Sequence, residues 1–405
     1  VASRFLEPLG SRDFRLLLAS QGISGLGYRF YYVALAWLSL KLTGSGLALG
    51  TVFLVSYIPR AILSPFGGVL ADRLPRRRLM ITANFFSILP LTILSVLAYL
   101  DIAQMWHLYL LAAMFGLLDV FVYPASTALL TTIISLDRLK SANALLQEVV
   151  ELALFLAAAP AGILVAEIGT WASMACGAVF FLISAILLLP MDEPGVPLLN
   201  HKINTPSPST AIQDIKGGLS YVWSEPILKS VLLSAGVVSF CLSGPLDIGL
   251  AILSDREFGG AVAFGSILSF LSGGVLLGLI IAGLIRTKRY SLILAVATII
   301  FGSGVILLGL ATEPGQVGLL AFVIGCGIGL FNIFYTTFLQ RTSRPEMLGR
   351  VASTDLLIWT VMAPVSYAIS GTVIDLHTGA LFIGAGLLTV GVGLFMLLNR
   401  HIRQA

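Results

Sequence analysis

Five ionisable side chains stand inside runs that are otherwise apolar: Arg29, Arg60, Asp119, Glu148 and Glu151. A charge at the centre of a bilayer costs at least ~2.5–3.5 kcal/mol even on the forgiving insertion scale, so charges at similar depth should face one another or water. They are expected to form a network. With all five ionised, two positive charges meet three negative ones, and one carboxylate is left over. The chemistry open to it is reversible protonation, because a carboxylate in a low-dielectric site beside another negative charge gains most from a proton. Glu148 and Glu151, three apart on one helical face, are such neighbours. Asp119, a turn before Tyr123 and Pro124, is the other candidate, so proton coupling is assigned to Asp119, Glu148 and Glu151 together. His107, His201, His377 and His401 fall near helix ends or in loops, which leaves no imidazole relay at mid-depth.

The stretch "SGLGYRFYYVALAW" (24–37) sets Arg29 deep in the first apolar run. Three roles are open to it: counter-ion to Asp119 or to a glutamate of the fifth helix, ligand for an anionic group of a substrate, or an end-of-helix residue that snorkels to water. Its depth argues against the last. Tyr28, Tyr32 and Tyr123 share its surroundings as candidate network or substrate contacts, and Arg60, after Pro59, is read as structural. Asp247 and Asp355 lie nearer helix ends, where gating or helix capping is expected. Phe240, Phe331, Tyr335 and Trp359 are the aromatic candidates for an apolar substrate cavity in the second half of the chain, against a background in which ordinary packing explains most aromatics.

Positioning such groups requires a scaffold in lipid. The 405 residues are 57% hydrophobic and 11% charged, where soluble domains carry roughly 25% charged residues. An all-α integral membrane protein follows, because a helix satisfies its own backbone in hydrocarbon. Twelve transmembrane helices are expected near 14–40, 46–70, 78–100, 107–134, 141–167, 171–190, 228–252, 260–285, 291–311, 316–340, 349–374 and 379–399. The first of these, which carries several polar residues, is not read as a cleaved signal peptide. Arranged alternately, the helices place nineteen of the 24 Lys and Arg on one side, which the positive-inside rule makes cytoplasmic, with both termini there. The long polar interval at 191–226 reads as a cytoplasmic linker between six-helix halves at 1–190 and 227–405. Ile212, Ile215, Leu219, Val222 and Trp223 would give the end of the linker an amphipathic helix on the membrane surface, the alternative being a solvated linker throughout.

Several classes are disfavoured. The pI near 9.0 reflects topology rather than nucleic-acid binding. Cys176, Cys241 and Cys326 sit on different helices without metal-ligand spacing and read as packing residues, so neither metal nor cofactor is expected. The glycine-dense "GCGIGL" and the pair Gly274 and Gly278 read as close helix contacts, since no strand or soluble domain surrounds them to make a phosphate loop.

Internal symmetry supports two pseudo-symmetric halves. "SLDRLKSAN" (135–143) aligns with "RPEMLGRVA" (344–352), and "GGVLADRLPRRRLM" (67–80) with "GLIIAGLIRTKRYS" (278–291). Duplicated units are the usual plan of an alternating-access transporter, with the site between them. Between helices 2 and 3 stand Gly68, Asp72, Arg73, Pro75, Arg76, Arg77 and Arg78. Gly68 would let a neighbouring helix approach, and Asp72 would serve an exposed helix N-terminus as a conformational latch. The plainer role of the arginines is to set topology and meet anionic lipid.

This loop resembles the signature of the major facilitator superfamily, with Pro75 in place of its second glycine. The resemblance runs through most of the chain and is closest to the macrolide-efflux branch of the twelve-helix drug:proton antiporters, through "SRDFRLLLASQGISGLG", "LTGSGLALG", "IPRAILSPFGGVLADR", "YPAS", "LKSANAL" and "LGRVAS". It implies a monomeric, non-enzymatic secondary transporter of the cell membrane that exports amphipathic small molecules against protons. Members of that branch often carry an acid just after "SGLG", where this chain has Tyr28 and Arg29, and Gly283 replaces the motif aspartate in the second half. The leading alternative is a lysophospholipid or other lipid transporter that holds an anionic headgroup through Arg29 and Arg60. A non-transporting membrane receptor is less favoured, since it would need neither buried charges nor a gate loop.

Overall fold

A computed structural model describes residues 6–73, 75–135, 137–192, 217–285, 287 and 289–399; among these, the side chains of 64–73, 123 and 345 lie outside the described set. The described residues form long helices: α1 (Arg12–Thr43), α2 (Gly46–Arg73), α3 (Arg76–Tyr99), α4 (Met105–Ile133), α5 (Leu139–Glu167) and α6 (Thr170–Leu188), then α7 (Pro226–Glu257), α8 (Ala261–Leu284), α9 (Tyr290–Leu308), α10 (Pro314–Thr342), α11 (Leu348–Leu376) and α12 (Thr378–Leu398). Eleven of them are long and apolar enough to cross a membrane. The exception is α1, whose 32 residues exceed a span but include Gln21, Arg29 and several hydroxyls.

Each expected span has a counterpart, and the ends differ in informative ways. Helix α3 begins at Arg76, not 78, so the arginines of the signature loop form its first turn. Pro226 and Pro314 open α7 and α10, where a missing N–H costs nothing. Helix α7 runs to Glu257 and contains a π-helical turn at Pro245–Gly249, a device common at functional sites. The linker is helical at 217–224; Val222 is buried, whereas Leu219 and Trp223 are exposed. Its Tyr221 hydroxyl accepts the Arg344 N–H at 3.3 Å, so this helix docks on protein rather than only lying on a membrane. Ile212 and Ile215 fall outside the described residues.

The helices separate into two compact units. The first comprises 1–38 and 55–208, the second 39–54 and 209–405. In the first, α3 packs on α6 and α4; in the second, α9 packs on α12 and α10. These pairings repeat six helices apart, as an internal duplication would produce. The first unit is stitched by hydroxyls: Ser184 donates to the Ser20 carbonyl at 2.9 Å, and the Asn84 amide donates to Ser184 Oγ at 2.9 Å, joining α1, α3 and α6. Such polar ties serve in lipid, where apolar burial supplies no contrast between helix and solvent.

The second unit uses glycine for the same end. A Cβ on Gly274 would come within 2.0 Å of the Phe322 carbonyl oxygen, and one on Gly325 within 2.1 Å of the Leu271 oxygen. The backbones of α8 and α10 therefore touch, which gives "GCGIGL" its structural meaning. Gly274→Val should be overpacked by at least roughly 1–3 kcal/mol, lowering the melting temperature in detergent by several degrees, whereas Gly384→Ala, whose Cβ would meet nothing within 4 Å, should leave it unchanged or slightly raised. Equal melting of both variants would refute the contact.

Candidate functional site

The first unit carries an open cavity of about 280 Å³ among α1 to α6. Its polar wall comes from Gln21, Ser24 and Tyr28 on α1, Asn84 and Ser87 on α3, and the pair Arg60 and Asp119 on α2 and α4. Local sequence explains the pair. At Gly116 a Cβ would fall 2.0 Å from the Ser56 carbonyl oxygen, so α4 presses directly on α2 at that level. One turn further along each helix stand Asp119 and Arg60, and they meet with Arg60 Nη1 3.0 Å from Asp119 Oδ2. Tyr57, one turn before Arg60, lays its ring 5.7 Å from the guanidinium. The side chains are 41% and 34% accessible, as expected of an ion pair in the wall of a polar cavity rather than in packed hydrocarbon.

Arg29 belongs to a second group. Its guanidinium lies 5.6 Å from the Tyr32 ring centroid, and Tyr32 stacks on Tyr28 with centroids 6.2 Å apart. Glu151 is within electrostatic reach of both Arg29 and Glu148. The structure thus pairs Asp119 with Arg60 and sets Arg29 near Glu151, which in turn neighbours Glu148. Arg60, read from sequence as structural, is the direct counter-ion of the α4 acid, because Gly116 brings their two helices together. Tyr123 has its side chain outside the described set.

Sequence reasoning missed part of this wall. Gln21 and Ser24 precede the expected Tyr28 at helical spacing on α1, as Asn84 and Ser87 follow one another on α3, and this polar stripe within apolar runs was the available signal. Phe115 was also missed; its ring packs against Tyr28, Tyr31 and Phe181, the last at 5.5 Å.

The second unit places its expected residues differently. Phe331 and Tyr335 are buried, at 2% and 3% exposure, and stack with centroids 5.2 Å apart. They are packing residues in this arrangement, and Tyr335 turns its hydroxyl to donate to the Asp355 carboxylate, with Trp359 beside it. Phe240 on α7 is half-buried, and its carbonyl accepts the Ser366 hydroxyl. Asp247, in the π-helical turn, accepts the Tyr367 hydroxyl at 2.7 Å. Asp247 and Asp355 are thus each held by a tyrosine.

Of the signature loop, Arg76 donates to the Ala128 carbonyl at 2.8 Å, and Arg77 donates to the Leu188 carbonyl at 2.8 Å and to that of Leu189. They brace α4 and cap the end of α6, where a cation favours the helix dipole. The side chains of Gly68, Asp72 and Arg73 lie outside the described set. A carboxylate does cap a helix start elsewhere. Within the second unit, Asp375 at the end of α11 accepts the N–H groups of Gly46 at 2.9 Å and Leu47 at 3.1 Å, the Ser45 hydroxyl at 2.8 Å and Arg256 Nη2 at 2.9 Å.

Comparison with known proteins agrees with this architecture. The model of the Major Facilitator Superfamily matches residues 17–367. The chain is similar to the "Uncharacterized MFS-type transporter YfiS" of Bacillus subtilis (strain 168), 27% identical over 96% of this chain and 93% of the relative. It is similar also to macrolide efflux protein A of Streptococcus pyogenes, 24% identical over 96% of each chain. Among solved structures, a variant of the nucleoside transporter NupG superposes with a TM-score of 0.73 over 95% of this chain and 98% of that one, at 14% identity, which shows a shared fold.

Two expectations follow from the geometry. In a double-mutant cycle of Arg60→Gln and Asp119→Asn, the double variant should recover roughly 1 kcal/mol relative to the sum of the single losses, measured by thermal unfolding in detergent; strict additivity would show that the pair does not interact. Asp375→Ala should remove charge-assisted bonds worth ~1.5–3 kcal/mol and speed hydrogen exchange at the start of α2 by about tenfold or more, read by mass spectrometry. Unchanged exchange there would dismiss the cap.

Proposed function

The chain belongs to the major facilitator superfamily, and from that premise we propose that it exports amphipathic small molecules by proton antiport with alternating access. That it is a multi-pass membrane transporter rests on the family, the apolar helices and the transporter relatives. The observation that supports the finer reading is the distribution of charge in the first unit, where Asp119 is matched by Arg60 in the cavity wall while Glu151 lies within electrostatic reach of Arg29 and of Glu148. The surplus negative charge therefore falls on α5. A proton taken there leaves the group neutral, and its release restores a negative charge beside Arg29. Substrate and proton bias opposite conformations through this one change of charge. Macrolide-type cargo is suggested by macrolide efflux protein A. The placement is the cytoplasmic membrane, with both termini on the Lys/Arg-rich inner side.

The lipid alternative asks Arg29 and Arg60 to grip one phosphate together. Arg60 faces Asp119 at 3.0 Å instead, which favours the small-molecule reading.

The test is flux in proteoliposomes with an imposed pH gradient. A cationic amphipathic dye or a macrolide should be driven by the gradient in the native protein. Glu148→Gln or Glu151→Gln should lose at least about tenfold of the pH-driven flux, a deficit of about 1.4 kcal/mol, yet keep downhill exchange. If Glu148→Gln, Glu151→Gln and Asp119→Asn all retain pH-driven transport, the coupling assignment is wrong; gradient-driven movement of a lysophospholipid but not of the dye would replace the cargo.

A further inference from the structure

Between α7 and α12 the second unit carries a crevice of about 540 Å³ that the transport cycle above does not use. Leu233, Val237, Leu387, Leu388 and Phe395 wall it, and all five are exposed. Gly391 keeps it open, since a Cβ there would meet nothing within 4 Å. One end is polar. Lys229, in the first turn of α7, lines the crevice beside Ser230 and Ser234, and its ammonium lies 5.2 Å from the centroid of the exposed Trp223 ring. Glu225, the nearest acid along the chain, lies 3.8 Å from Arg344, so the local balance at this mouth is positive.

The dimensions identify the occupant. From Lys229 to Val237, and from Leu387 to Phe395, each wall rises about 12 Å. One leaflet of a ~30 Å hydrocarbon core is about 15 Å deep. A crevice one leaflet deep, apolar along its length and cationic at its mouth, with an indole at the level where aromatic belts sit, matches a phospholipid in shape, polarity and charge. We propose that it is a binding site for an anionic phospholipid, with one acyl chain lying along Gly391 and the phosphate held by Lys229 beside Trp223. Bulk lipid would cover the same face without preference for headgroup; Lys229 is what makes the site selective.

The purified full chain is reconstituted in phosphatidylcholine vesicles containing either brominated phosphatidylglycerol or brominated phosphatidylcholine, with bromine on the acyl chain near the headgroup. Quenching of Trp223 is obtained as the difference from Trp223→Phe. The expected result is a roughly fivefold preference for the anionic lipid, reduced by salt and abolished in Lys229→Gln. Gly391→Leu, which fills the crevice without changing charge, should lower quenching by either lipid without lowering the melting temperature. Equal quenching by the two lipids in the native protein, a preference that survives Lys229→Gln, or quenching unaffected by Gly391→Leu would overturn the site. None of these readouts depends on transport, so the site and the efflux reading fail separately.

Discussion

A charge within a hydrocarbon core must be compensated by the protein itself, and the contact that does so here depends on a missing side chain. Gly116 allows α4 to touch α2 at Ser56, and that contact sets the distance between Arg60 and Asp119 one turn on. An alanine at the same place would push the helices apart and strand both charges. The pair is not chiefly a stabiliser. With about a third or more of each side chain accessible, its net contribution is expected to be on the order of 0–1 kcal/mol, small enough for the cavity to be repolarised by a proton or a cargo. Weak pairing in a polar cavity suits the change of charge that the proposed coupling requires.

The two units solve the same packing problem with different side chains. The first joins its helices through hydroxyl and amide ties at Ser20, Ser184 and Asn84 and sets the Arg60–Asp119 pair in the wall of a cavity. The second relies on glycine contacts between α8 and α10 and holds Asp247 and Asp355 with tyrosines. A carboxylate that accepts a hydrogen bond from a phenol is stabilised without calling for a second full charge beside it. The difference is written in the sequence: the position that aligns with Asp72 is Gly283, and the arginines deep in apolar runs, Arg29 and Arg60, both belong to the first half.

Much of this was legible in the chain. Apolar runs of span length gave the helices, and the cost of charge in lipid singled out Arg29, Arg60, Asp119, Glu148 and Glu151 before any coordinates. Pairing was not legible, because hydropathy gives depth along a helix but not which face it turns to which neighbour. Arg60 looked structural because similar proteins often carry a basic residue there, yet the close approach at Gly116 decides its partner. Phe331 and Tyr335 looked like cavity aromatics for the opposite reason: their type is right for a cargo site, and only packing against Phe301 and Asp355 shows them committed to the unit's own interior. The π-helical turn in α7 left no mark in sequence beyond the proline at its start.

Depth sorts the charged groups by what they can do. Asp375 holds the beginning of α2 through three donors and Arg256, at an end of the helices where α1 turns into α2 through Gly44 at φ +63°. There, water can replace each bond as it breaks, so the tie can open and close at a cost of a few kcal/mol rather than the full penalty of exposing an unmet charge to hydrocarbon. At mid-depth no such replacement is available outside the cavity. A group there can change only by gaining or losing a proton or by exchanging one partner for another, which is the behaviour that the proposed coupling asks of Glu148, Glu151 and Asp119. The residues suited to gating therefore lie at the helix ends and those suited to coupling lie in the middle, a division imposed by the bilayer before selection acts on either.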